Sequence, residues 1–184
     1  MVQALQRYCR RRVRALKRFA RSHDGATAVE FALIAPAFIA LVVAMFQVAV
    51  YLFVQQSLQN AATSAGRLFL TGQAQTWSQT TFKNYVCNNF LPSMFSCNSL
   101  VVIVQPYSDF ASADTSTPAL YDGSGNPLTT FPYSPGVQGQ IMVVQLVYKW
   151  SVVSGPLGFN ISTAGLPSGL KEMVGVAAFK VEPY

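Results

Sequence analysis

The chain has a single histidine and only seven acidic residues. That histidine, His23, lies in a basic amino-terminal segment, so the rest of the chain cannot assemble a Ser-His or Cys-His nucleophile pair. No His, Cys, Asp and Glu residues recur at metal-ligand spacing, and the scattered glycines form no phosphate-cradling loop. "DGSGN" at Asp122–Asn126 has the oxygens that open a calcium loop, but Pro127 stands where the sharp turn needs glycine, so it reads as a turn. "NIS" at Asn160 matches a glycosylation acceptor, a pattern short enough to arise by chance. These absences exclude the common catalytic sets and imply no cofactor, no metal and no enzymatic activity.

Cysteine is scarce as well. Cys9 belongs to the basic segment, whereas Cys87 and Cys97 have nine residues between them, a spacing that a disulfide can close. In an oxidising compartment such a bond contributes a little under about 3 kcal/mol by loop closure. In a reducing one the pair would be buried thiols.

Charge is missing over one long interval. From Phe31 to Val54, 24 residues carry no formal charge, more than the roughly 20 that a bilayer requires. The run reads as a transmembrane helix and exceeds the apolar core of a cleavable secretory signal. The net charge of +6 is equally uneven. Residues 1–25 hold eight Lys and Arg against Asp24, while the remainder has five bases and six acids. Overall basicity therefore describes a tail. Residues 2–22 place Leu5, Tyr8, Cys9, Val13, Leu16 and Ala20 at helical spacing among arginines and lysines, which is a basic amphipathic helix. Because it runs straight into the apolar stretch, its expected partner is anionic lipid and not nucleic acid. The positive-inside rule puts residues 1–25 in the cytoplasm and everything beyond about residue 55 outside.

The helical period continues past the apolar run. Leu58, Ala61, Ala62, Ala65, Leu68 and Phe69 form one stripe, with Gln56, Gln59, Asn60, Ser64 and Arg67 opposite, and Gly72 follows as a C-cap. One helix over 26–70 is expected, transmembrane in its first half, with Pro36 kinking it or relieved by a neighbour. Residues 71–184 then change to short elements. "TWSQTTFKNYVCNNF" predicts a short helix, "SLVVIVQPY" a strand ended by Pro106, and residues 108–139, rich in proline and glycine, a long exposed loop. "GQIMVVQLVYKWSVV" predicts the longest strand, with Met142, Val144, Leu146, Tyr148 and Trp150 on one face and Gln145 and Lys149 on the other. "LKEMVGVAAFKVE" predicts a last strand. The expected fold class is α+β: a long pilin-like amino-terminal transmembrane helix, then a small domain with a short helix and an antiparallel sheet of three to four strands.

The junction "HDGATAVEFALIAP" carries the most specific pattern. It resembles the processing site of type IV prepilins, in which a basic leader ends in glycine and the mature chain begins with a small residue four positions before glutamate and an aromatic. The match is Gly25, Ala26, Glu30 and Phe31. More narrowly, "GATAVEFALIAPAFIALVVAMFQVAVYLFVQQSLQNAATSAGR" is similar to the TadE-like family of tight-adherence pilus systems, and the ending "AFKVEPY" is also similar. The resemblance implies a minor pseudopilin in the bacterial inner membrane, possessing no activity of its own, with a periplasmic carboxy-terminal domain. The partners it implies are a prepilin peptidase that cuts after Gly25, Flp-type major pilins, other pseudopilins and the inner-membrane assembly platform. Members often carry a second glutamate where Gln47 stands and a basic residue near Val50. Here Gln47 offers an amide instead, able to hydrogen-bond between helices or to be tolerated as a polar residue.

Glu30 has a physical role in this pattern. Cleavage after Gly25 places a free ammonium on Ala26, and in a lateral assembly the glutamate of one chain can meet the terminus of the next. At 4 Å and an effective dielectric of 20 that attraction is about 4 kcal/mol before desolvation, and unpaired burial of the carboxylate costs several kcal/mol. A headgroup-zone glutamate pairing with Arg21 or solvent is the simpler use of the same residue. Two other readings of the whole chain stay open: an uncleaved bitopic protein with an external binding domain, and a secreted enzyme released by signal peptidase near Ala65, for which the chain offers no catalytic set.

Overall fold

The computed structural model describes residues 25–152, 154–162 and 169–182. The basic segment 1–24, with Cys9 and His23, lies outside the described residues. The element order is α1 (Ala26–Leu70), α2 (Gln79–Asn89), β1 (Leu100–Tyr107), β2 (Ile141–Ser151) and β3 (Leu170–Lys180), with 3-10 turns at Cys97–Ser99 and Pro156–Gly158. The architecture is α+β, one long apolar helix, one short helix and a three-stranded antiparallel sheet.

The chain divides into two compact units after Val43. The first contains the amino-terminal part of α1. Its large apolar side chains, among them Phe31, Leu33, Ile34, Phe38, Ile39 and Leu41, are exposed, and at 100° per residue they point in all directions. A helix that is apolar all round belongs in a protein core or in lipid. Only 11% of the most apolar window of α1 is buried, which is not the pattern of a soluble core helix. The helix continues through Pro36, whose ring removes the donor that the Ala32 carbonyl would receive.

The second unit begins at Ala44. Here α1 is two-faced, because Leu58, Ala61, Ala62, Ala65, Leu68 and Phe69 are all buried in the main core. The helix ends where Gly72 takes φ 75°, with Thr71 N–H donating to Arg67 O (3.0 Å) and Gly72 N–H to Phe69 O (3.1 Å). That left-handed step suits glycine and satisfies carbonyls that have no partner further along the helix. Ser78 starts α2 by accepting from Thr81 N–H at 3.2 Å, and Phe82, Val86 and Cys87 turn inward. Phe82 meets Phe69 of α1 with ring centroids 4.8 Å apart.

Sheet order is β1-β2-β3, so β2 is central. Met142, Val144, Leu146 and Tyr148 alternate onto the helical side of β2 and join the core. The opposite face is not solvated. Ile103, Val147 and Leu120 form a second cluster there, and Gln145 is buried, its amide donating to Ser116 O at 3.0 Å. The segment between β1 and β2, expected to be exposed, therefore folds part of itself over the sheet. Leu120 does this with the half-buried Tyr121 and Phe131, residues scattered among polar neighbours without a period to detect.

β1 also runs through Pro106, which pairs with Met142, to Tyr107. Pro106 was expected to end the strand. It is tolerated because β1 is an edge strand: Val104 N–H, two residues earlier, donates outward to Pro132 O at 3.1 Å, so the missing Pro106 donor also faces away from β2.

Both edges of this small sheet are covered by side-chain amides. On β3, Gln55 donates to Val174 O (2.8 Å), while Gln59 donates to Val176 O (2.8 Å) and accepts from Val176 N–H (3.1 Å). On β1, Gln79 of α2 donates to Val102 O at 2.8 Å. Residues 132–134 add a parallel bridge through Tyr133 to Val104. Edge groups left open invite pairing with another chain, and these amides occupy them. Replacing Gln59 with Leu should leave Val176 N–H without its partner and cost about 1–3 kcal/mol, with faster amide exchange at Val176 as the readout. Gly175 is the other sensitive position, since a Cβ there would lie 2.5 Å from Leu58 O and 2.8 Å from its carbonyl carbon. Gly175→Ala should lower stability of the detergent-solubilised chain by about 1–3 kcal/mol or more, read from thermal unfolding.

Candidate functional site

The sequence places its most specific signal at the start of α1. Gly25 precedes the first helical residue, Ala26, and a Cβ on Gly25 would meet nothing within 4 Å. Glu30 sits one turn after Ala26, which puts the two on one helix face. It is exposed, as is Phe31, and among the described residues Glu30 meets no cation. The segment from Gly25 to Phe31 is thus open to solvent or to another molecule along its length.

Gln47 is placed differently. It is half-buried, and a Cβ added to Gly155 would lie 2.7 Å from its Oε1. The residue expected as a polar group of the membrane helix therefore faces the chain's own 154–162 segment. One turn on, Tyr51 stacks on Trp150 with ring centroids 6.5 Å apart and an interplanar angle of 4°, and the Lys171 ammonium lies 5.7 Å from the Tyr51 ring centroid. Val54, the last residue of the apolar run, is in the core at 3% exposure. The end of that run is shared with the folded unit; an apolar stretch alone does not distinguish lipid from core. Ala65 is fully buried within α1, so cleavage near it would strip Leu58, Ala61 and Ala62 from the core they help build. That counts against a protein released there.

The remaining chemistry is sparse. Among the described residues no group of three or more His, Cys, Asp and Glu is placed to hold a metal. Asp122 closes the "DGSGN" turn, its Oδ1 accepting from Asn126 N–H (2.8 Å) and Ser124 N–H (2.9 Å). The backbone hydrogen bond from Asn126 leads the contacts that hold its carboxyl below the usual range. Those oxygens are occupied by the turn itself. Asn160 Oδ1 likewise accepts from Ser162 N–H at 2.9 Å.

One cleft, of about 320 Å³, opens between α2, β1 and the loop before β2, lined by Gln79, Thr80, Lys83, Asn98, Thr129 and Lys149 among others. Burial, followed by the nearby Lys149 charge, pushes the Lys83 ammonium below its ordinary pKa. Glu172 is the register partner of Lys149 across β2 and β3. Burial raises the Glu172 pKa and Lys149 opposes that rise. The cleft presents cations and amides, groups suited to holding an anionic ligand.

Cys87 in the last turns of α2 and Cys97 in the 3-10 turn are joined by a disulfide, their Cα atoms 5.8 Å apart. The closed loop is held to β2 as well, since Ser96 N–H donates to Tyr148 Oη at 3.1 Å and Phe95 packs edge-on against Tyr148 at 4.8 Å. Reduction, or Cys87→Ser with Cys97→Ser, should lower unfolding stability by a little under about 3 kcal/mol by loop-closure entropy, measured by denaturant titration with and without reductant.

The sequence reading missed the glutamines. Gln59 was assigned to the face opposite the core, whereas it reaches β3 with two hydrogen bonds. The available signal was the i, i+4 repeat of Gln55 and Gln59 beside a buried stripe, which places both amides on one flank of the helix.

Residues 25–67 match the family model described as TadE-like protein. No curated protein and no solved structure matches the chain significantly. The family segment begins at the glycine before α1, includes Glu30 and Phe31, and ends at Arg67 inside the core-forming stripe; over those residues the chain is similar to TadE-like proteins.

Proposed function

We propose that this protein is a minor pseudopilin, a membrane-anchored structural component of a tight-adherence pilus system, matured by a prepilin peptidase that cuts between Gly25 and Ala26. The observation that carries the reading is the coincidence of the TadE-like segment with the start of α1, where Gly25, Ala26, Glu30 and Phe31 stand in the processing order. The helix is long and apolar enough to cross a membrane once, which suits a single-pass anchor within a pilus system. In this reading the basic leader stays in the cytoplasm, the folded unit lies in the periplasm, and maturation discards most of the positive charge. The ammonium created on Ala26 and the exposed Glu30 carboxylate then supply complementary charges for lateral assembly with Flp-type pilins or other pseudopilins on the inner-membrane platform.

The uncleaved bitopic reading is supported by the Lys83–Lys149 cleft, which could bind an anionic ligand without any maturation. The two readings part at the amino terminus. Sequencing the protein from its native host should find Ala26 first; a start at Met1 or Val2 would establish the uncleaved form. Gly25→Ala should abolish processing while leaving the fold intact, because the added methyl group has no neighbour within 4 Å. A blot showing leader removal in that variant at the wild-type rate would rule the peptidase reading out.

A further inference from the structure

The folded unit has an unusual base. Tyr51 of α1 and Trp150 of β2 stack face to face, Lys171 stands directly opposite Trp150 in the β2–β3 register, and its ammonium lies over the Tyr51 ring. Tyrosine and tryptophan favour the headgroup level of a bilayer, and lysine extends its charge there while its stem stays apolar. We propose that this base, Tyr51, Trp150 and Lys171 together with residues 154–161, is a membrane-surface site seated in the headgroup zone of the same bilayer that α1 crosses. The proposal rests on the reading of α1 as an anchor.

Three further observations point to lipid as the occupant. The 20 residues from Phe31 to Val50 carry no charge and at 1.5 Å each extend about 30 Å, the thickness of the hydrocarbon. Tyr51 is the next residue. Gln47, which faces Gly155, lies one turn before Tyr51, about 6 Å nearer the amino-terminal end of the helix. The 154–161 segment therefore lies beside α1 at Gln47, and it contains no charged residue. Finally, the flank of α1 beside this base presents Val48, Leu52 and Phe53 to the outside. The acyl–headgroup boundary covers such a surface, as it does for interfacial apolar segments.

The site is tested by fluorescence of the full chain in nanodiscs of phosphatidylethanolamine and phosphatidylglycerol. The acyl chains carry bromine either near the headgroup or near the methyl end. Of the two tryptophans, Trp77 packs on Phe82 and Tyr85 away from this base, so Trp77→Phe leaves Trp150 as the reporter. Its emission should be lost with shallow bromine and retained with deep bromine. In the unsubstituted chain the same lipids should remove only the share that Trp150 contributes. A second variant, Trp77→Phe, Trp150→Phe and Phe38→Trp, reports on the anchor and should respond to deep bromine. Quenching at position 38 with none at Trp150 overturns the surface site and leaves the anchor standing. Absence of quenching at both positions overturns the anchor reading and the site with it.

Discussion

The folded unit depends on how closely the backbone of α1 can approach β3. At Gly175 the strand comes so near Leu58 that even a methyl group would collide with the helix main chain. Gly66 repeats the device from the helix side, where a Cβ would meet the Phe179 ring at 2.9 Å. Between them Ala61, Ala62 and Ala65 keep the helix surface low. Helix and sheet lie so near each other that Gln55 and Gln59 can turn around the strand edge and hydrogen-bond its backbone. Larger residues in this stripe would push the helix away and leave both amides short of their partners.

A three-stranded sheet is at the lower limit of what holds together unaided, and this one has further supports. The central strand is covered on both faces, by α1 and α2 on one side and by Leu120 on the other. Tyr133 links the loop to the aromatic group of Phe69 and Phe82. Burial pushes its phenol up to about 12, so it remains neutral at any physiological pH. The disulfide fixes the connection from α2 into β1. Each of these supports lies outside the three strands, which is why so small a sheet can stand.

Much of this was legible in the sequence where period and composition carry the information. The stripe from Leu58 to Phe69 has an unbroken helical spacing, and the strands at 100–107, 141–151 and 170–180 are β-branched runs bounded by turn residues. Less accessible were contacts that depend on distance in the fold. Nothing in the local pattern tells that Gln59 reaches Val176, 117 residues away, that Leu120 with Tyr121 and Phe131 caps the far face of β2, or that Val54 leaves the apolar run for the core. At the amino-terminal junction, the pattern of Gly25, Ala26, Glu30 and Phe31 is one of order along the chain, so it needs no fold to be seen. The placement of Gln47 does need one, since its neighbour Gly155 is more than a hundred residues distant in the sequence.

α1 is both the most apolar element and a wall of the core, and no linker separates these two duties within its 45 residues. A pull that reaches the carboxy-terminal part of α1 meets the core directly. It would pass into the Ala61–Ala65 contact and into the Gln55 and Gln59 hydrogen bonds to β3, which lie one helical turn apart and share the load. Within the folded unit those contacts act in parallel, so no single one has to bear a pull on α1 alone.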